Sequence, residues 1–240
     1  MAATDIHGDP RLEQLHAWLV SQLKTEFSLD TVSADASFRR YYRVILTDKT
    51  IIAVDSPPSH ENNDAFVHCT QLLSQYKQCV PEIIAIDETQ GFMLLSDFGD
   101  RLLLSELDAS NVNHHYLTAI NSLYDLHQVP ADSLPHYDRE RLLTEMQLFP
   151  DWLLQRHLNI TLNVDQQAQL KCIFTLLADS ALEQPQVFVH RDFHSRNLML
   201  LDTPEGKDQI GLIDYQDAVC GAISYDLVSL LRDCYICWPQ

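Results

Sequence analysis

Val187-Phe188-Val189-His190-Arg191-Asp192-Phe193-His194-Ser195-Arg196-Asn197-Leu198-Met199-Leu200-Leu201 is the stretch on which the reading of this chain turns. Its first three residues form a short apolar run of β-branched and aromatic type, which reads as a buried strand. The strand delivers His190-Arg191-Asp192, Asn197 follows five residues after the Asp, and a second apolar run begins at Leu198. A third run, Ile210 to Ile213, ends in Asp214, twenty-two residues after Asp192. Two carboxylates and an amide are therefore presented at the ends of apolar strands, in a fixed order.

That set of side chains suits phosphoryl transfer. The attacking hydroxyl needs a carboxylate to take its proton, and nucleotide phosphates need magnesium held by hard oxygen ligands. Asp192 fits the first role; Asn197 and Asp214 fit the second. The spacing His-Arg-Asp-x-x-x-x-Asn with a later strand-borne Asp matches the catalytic loop and metal ligands of protein kinases. A lone Asp at a strand end is usually structural, but three such residues in the right order point to a site. An alternative metal site from His190, Asp192 and His194, which alternate on an extended segment, is compatible with the residue types.

A second kinase-like string, Leu95-Ser96-Asp97-Phe98-Gly99-Asp100, has a different meaning. In kinases the Asp-Phe-Gly follows the catalytic loop, whereas here it precedes His190-Arg191-Asp192. It follows one apolar run and precedes a helical region, so it reads as a connection between lobes whose backbone groups face a bound purine.

Thirty-four acidic against sixteen basic residues give a formal charge of −18, which repels nucleic acid and anionic membranes and favours a cationic substrate. A nucleotide must then be held by magnesium and a few local cations. No stretch approaches the roughly 20 apolar residues of a membrane span, and Asp5, Asp9 and Glu13 break any secretory signal. Six scattered cysteines read as reduced thiols of a cytoplasmic protein. Cys234-x-x-Cys237 has no second pair to complete a zinc site and reads as packing.

Along the chain, Asp9-Pro10 caps an amphipathic helix carrying Leu12, Leu15, Leu19 and Leu23. Residues 38–46 and 50–54 read as a hairpin ended by Pro57-Pro58, 65–76 as a helix, and 83–86 and 92–95 as strands. Helical periods follow at about 111–128, 139–157 and 165–182, then the three apolar runs and a last helix near 224–236. The expected fold is α+β and two-lobed, with a β-rich nucleotide-covering lobe at 1–99 and a larger helical catalytic lobe at 100–240.

The segments ADASFRRYYRV (34–44), AVDSPP (53–58), HRDFHSRNLML (190–200) and IDYQDAVCGAISYDLVSLLRDCYICWP (213–239) resemble the aminoglycoside phosphotransferase and choline kinase superfamily, which is similar in fold to protein kinases. Within it they look most like the bacterial cell-wall sugar kinases that phosphorylate the anomeric hydroxyl of N-acetylmuramate and N-acetylglucosamine. The resemblance implies an ATP- and Mg²⁺-dependent kinase of a small amino sugar, with aminoglycoside kinases as the neighbouring possibility and a non-catalytic nucleotide-binding module as the alternative class. It implies that Ser37, Phe38, Arg39 and Arg40 cover the nucleotide phosphates, that Ser96, Asp97 and Phe98 lie at the nucleotide, and that Asp226 braces the catalytic loop. The strand that carries a phosphate-pairing Lys in kinases reads Ile51-Ile52-Ala53-Val54-Asp55; Lys49 or the Arg39-Arg40 pair stands in for it. Members of the group continue through further helices, so the resemblance also implies a catalytic lobe incomplete at Gln240.

Overall fold

A computed structural model describes residues 8–33, 38–203, 206 and 208–238. It contains two compact units that interleave along the chain. One comprises Met1–Thr118 with Arg196–Gln216, the other Ala119–Ser195 with Asp217–Gln240. A division at residue 99/100 would instead assign the 198–212 hairpin to the later part.

The first unit is built on a five-stranded antiparallel sheet. Its strands are β1 (Ser28–Ser33), β2 (Arg40–Ile45), β3 (Thr50–Asp55), β4 (Ile83–Asp87) and β5 (Phe92–Ser96), in the order β1-β2-β3-β5-β4. Helix α1 (Pro10–Leu23) starts at Asp9, whose carboxylate accepts from the N–H groups of Arg11 and Leu12, and Pro10 loses no bond at this position. Its face of Leu12, Leu15, Trp18 and Leu19 packs on Leu29, Tyr42, Val44, Ile51, Ala53, Phe92 and Leu94. That burial, about 25 cal/mol per Å² of apolar surface, is what holds the helix on the sheet. Helix α2 (Asn63–Gln75), a short α3 (Leu103–Glu106) and the hairpin of β7 (Leu198–Asp202) and β8 (Asp208–Leu212) complete this unit.

Gly91 forms the tight turn between β4 and β5, at φ +71°. Its C=O accepts from the Ser56 N–H at 2.8 Å, and a Cβ here would strike the Ser56 carbonyl and lie 2.8 Å from Pro58 Cδ. Gly91→Ala is expected to cost on the order of 3 kcal/mol, read as a lowered urea midpoint at unchanged m-value.

In the second unit, β6 (Gln186–Val189) pairs antiparallel with β9 (Val219–Ala222), and Val189 and Val219 pack with Tyr137. Helices α5 (Arg139–Met146), α6 (Val164–Leu182) and α7 (Tyr225–Leu231) belong here, while α4 (Val112–Leu126) has residues in both units. The region expected as one helix over 139–157 is divided: α5 ends at Met146 and Phe149–His157 is π-helical. Pro150 in the first π turn has no N–H to continue an α ladder, and local unwinding accommodates it. Two strands not expected from the sequence, β1 and β9, are also present.

Candidate active site

The loop after β6 is held at both ends. The backbone N–H groups of His190 and Arg191 donate to the two oxygens of Asp226 at 2.6 and 3.0 Å. Both the N–H (2.9 Å) and the hydroxyl of Ser195 donate to Asp233. Phe193 is fully buried between these anchors and meets the buried His190 edge-on at 5.9 Å. Arg191 adopts φ +77°, a conformation non-glycine residues rarely take, and its guanidinium is fixed on Glu145 at 2.9 Å. Asp192 is half-buried in the middle of this braced, strained turn, and its C=O accepts from the His194 N–H at 2.9 Å. His190, Asp192 and His194 do not bring their donor atoms within 4.8 Å of one another, so they form no metal cluster.

Burial pushes the Asp226 carboxyl up to about 7, opposed by its two backbone bonds and reinforced by the charge of Asp192. Folded Asp226 therefore holds its proton where the unfolded chain has lost it. The stability it contributes is full below the ordinary Asp range, near 3.8, and is lost as pH rises through about 7. We expect the urea midpoint of the wild type to fall from pH 5 to pH 7.5 relative to Asp226→Asn, which lacks this titration.

In the first unit, Asn197 immediately precedes β7 and Asp214 lies two residues past β8. Ile213 N–H donates to the Asn197 carbonyl at 3.2 Å, closing the hairpin's open end. The Asn197 amide and Asp214 Oδ2 stand 3.5 Å apart, and Gln216 donates to Asp214 Oδ1 at 2.8 Å. Asp214 is exposed, at φ +65°. Tyr215 beside it is fully buried, stacked on Phe66 and hydrogen-bonded to Thr70 of α2 at 2.9 Å, so the strand end is anchored while the carboxylate faces outward. In this arrangement the Asn197 NH₂ faces the carboxylate; a carboxylate and a side-chain amide are residue types that supply the hard oxygens magnesium takes, the amide doing so through its Oδ1.

The cations near β2 divide clearly. Arg40 bonds Asp55 Oδ2 at 2.6 Å and pairs with Asp9, while Arg11 takes the other oxygen of the fully buried Asp55. Arg43 holds Asp97 at 2.6 Å and also Asp100. Burial alone would raise the Asp97 carboxyl, but Arg43, Thr50 and the Gly99 N–H outweigh it and leave it below its ordinary value. The carboxylate of this Asp-Phe-Gly is thus spent on Arg43, and Phe98 packs where a Cβ on Gly211 would sit. Ser96 is tied to Glu82 by two bonds, each of 2.9 Å. Lys49 lies exposed in the β2–β3 turn. Arg39 is buried, donating to Ser56 Oγ at 3.1 Å and pairing with Glu61 at 3.3 Å. Phe38 is exposed and stacks on His60 at 4.3 Å, and Ser37 lies outside the described residues.

Residues 28–239 match APH, the phosphotransferase enzyme family. The chain belongs to this family. Its kinship with other phosphotransferases extends to curated relatives. The chain is 40% identical over 97% of its length to N-acetylmuramate/N-acetylglucosamine kinase of Pseudomonas aeruginosa and of Pseudomonas putida, spanning 71% and 70% of those proteins. It is 35% identical to the protein of that name from Neisseria meningitidis serogroup B, over 95% of this chain and 68% of the relative. Among solved structures it is similar to the GDP complex of aminoglycoside 2'-phosphotransferase-IIIa, with TM-score 0.69 and 16% identity over 94% of this chain and 79% of that one. Choline kinase LicA from Streptococcus pneumoniae gives TM-score 0.65 and 15% identity over 91% and 73%. The expected α+β, protein-kinase-like fold is therefore the fold observed. No helix among the described residues is long and apolar enough to cross a membrane.

Sequence reasoning did not single out Asp233, Glu61 or Glu145. Asp233 had a readable signal, a spacing of seven residues from Asp226 that equals two helical turns, although α7 ends at Leu231 and Asp233 reaches the loop from just beyond it. Glu61 and Glu145 are ordinary surface-type residues in sequence and acquire meaning only from the arginines that reach them.

Proposed function

We propose that this phosphotransferase is an ATP- and Mg²⁺-dependent kinase of an amino sugar, transferring the γ-phosphoryl group to the anomeric hydroxyl of N-acetylmuramate or N-acetylglucosamine. The observation that carries the reading is the 40% identity over 97% of the chain to kinases named for these sugars, in a protein that retains Asp192, Asn197 and Asp214 on braced backbone. Asp192 takes the proton of the attacking hydroxyl, and the anchors Asp226 and Asp233 fix the turn that aims it. Asn197 and Asp214 would hold magnesium through their side-chain oxygens. Bound there, magnesium supplies positive charge to the nucleotide phosphates. Such a kinase serves cell-wall recycling in the cytoplasm.

Arg39 stands in for the strand Lys. Arg40 is saturated by Asp9 and Asp55, whereas Arg39 is held by Ser56 and by Glu61, which immediately precedes the Asn62 cap of α2. That is analogous to the kinase pairing of a cation with a helix Glu, with the Glu here on the segment leading into the helix. Burial raises the Tyr41 hydroxyl, and its surroundings include both Arg39, which opposes the rise, and Asp214, which adds to it. The cation and the metal ligand thus act on one neighbourhood. Phe38 and the backbone of 96–98 complete the nucleotide's surroundings.

The test is ³¹P NMR of the chain with Mg-ATP and, separately, N-acetylmuramate, N-acetylglucosamine and an aminoglycoside. A sugar-phosphate doublet coupled to the anomeric proton is expected with one or both sugars. Transfer to the aminoglycoside alone overturns the substrate assignment, and thermal stabilisation by Mg-ATP without any transfer reduces the 240-residue chain to a nucleotide-binding module.

A further inference from the structure

At the start of α4, His114 and His115 face Asp208, the first residue of β8. Asp208 Oδ2 lies 3.0 Å from His114 Nε2 and 3.6 Å from His115 Nδ1, and the three donor atoms all lie within 4.8 Å of one another. All three residues belong to the first compact unit. We propose that they form a binding site for a divalent transition metal, zinc in the first instance, separate from the magnesium ligands of the proposed kinase reaction.

The first argument is an orphaned nitrogen. The His115 side chain is 9% exposed, and its Nδ1 is buried with no hydrogen-bond partner among the described residues. At 3.6 Å from Asp208 it is too far for a hydrogen bond, yet it is aimed at an oxygen that His114 already engages. A buried unpaired imidazole nitrogen is destabilising, and a single cation would engage its lone pair together with those of His114 and Asp208.

The second argument is spacing. Zinc bonds of roughly 2.0–2.2 Å set donor atoms of a tetrahedron about 3.3–3.5 Å apart. The two measured edges bracket that value at 3.0 and 3.6 Å, so shifts of a few tenths of an ångström bring both into place. His114 is 67% exposed, which leaves an approach for the ion and a water in a fourth position. Two imidazoles with one carboxylate select zinc-like metals, whereas magnesium and calcium take oxygen ligands alone. The formal charge of −18 further concentrates cations around the chain. An ion here would clamp α4 to the root of β8, the strand that leads to Asp214.

The test is zinc titration by calorimetry on the full chain carrying Cys172→Ser, Cys234→Ser and Cys237→Ser, because these exposed thiols would bind zinc on their own. Binding of one zinc per chain is expected. His115→Gln and Asp208→Asn in that background should each weaken it by more than about tenfold without changing the metal-free urea midpoint by a comparable factor in the folding constant. Cobalt in place of zinc should give visible d–d bands without sulfur charge transfer. Absence of binding in the thiol-free chain, or binding that neither substitution weakens, overturns the proposal. Asp208→Asn, at the start of a strand and partly exposed, keeps the test decisive if His115→Gln fails to fold. Failure of sugar phosphorylation would leave this result untouched, since the readout requires no nucleotide.

Discussion

Asp192→Asn is expected to lower kcat for the sugar by about 10²–10⁴-fold, the range lost with a general base, while the Kd for Mg-ATP changes by less than about twofold. The geometry makes the two readouts separable. Asp192 belongs to a turn whose backbone is fixed by Asp226 and Asp233, so an isosteric amide is expected to leave the turn in place. Its charge adds to the rise of the Asp226 carboxyl; neutralising it removes a like-charge interaction and should leave folding stability unchanged or slightly higher. Stopped-flow turnover, nucleotide titration and a urea midpoint on the same preparation check the three statements together. An unfolding free energy that falls by several kcal/mol alongside activity would make Asp192 a structural residue and remove the base from the proposed mechanism.

The loop after β6 and the β2–β3 hairpin were legible in the sequence because each rests on local signals: an apolar run, a fixed offset, a turn. The hairpin expected at 38–46 and 50–54 is found as Arg40–Ile45 paired with Thr50–Asp55. What escaped has a nonlocal origin. β1 reads Ser28-Leu29-Asp30-Thr31-Val32-Ser33, with Leu29 buried and Val32 exposed, and it exists because β2 offers an edge to pair with. β9 is four residues including Gly221, whose lack of a side chain lets Tyr137 and Val189 approach. The same logic governs the charges. Arg39 and Arg40 are adjacent and chemically identical in sequence, and alternation along an extended segment points them to opposite sides. Only the fold distinguishes a guanidinium saturated by two aspartates from one held beside the proposed phosphate site.

That distinction predicts opposite phenotypes for neighbouring substitutions. Arg39→Met is expected to weaken Mg-ATP binding by about 10- to 100-fold, the loss of one charge-assisted contact of about 1.5–3 kcal/mol, with Arg39→Lys recovering part of it. Arg40→Met should leave the nucleotide Kd within about twofold but lower stability by about 2 kcal/mol, since the fully buried Asp55 then keeps Arg11 alone as an ion-pair partner among the described residues and Asp9 is left with its helix-capping bonds but no guanidinium. Lys49→Met, in an exposed turn, should do neither. The measurements are fluorescence titration with a nucleotide analogue and urea unfolding, run on all four variants. Glu61→Gln adds an internal check. Glu61 holds Arg39 but carries the wrong charge to touch phosphate, so its loss should weaken binding less than Arg39→Met and in the same direction. If Arg40→Met or Lys49→Met weakened nucleotide binding as much as Arg39→Met, the pairing of Arg39 with Glu61 would be a structural ion pair only, and the cation of the phosphate site would have to be sought elsewhere in the first unit.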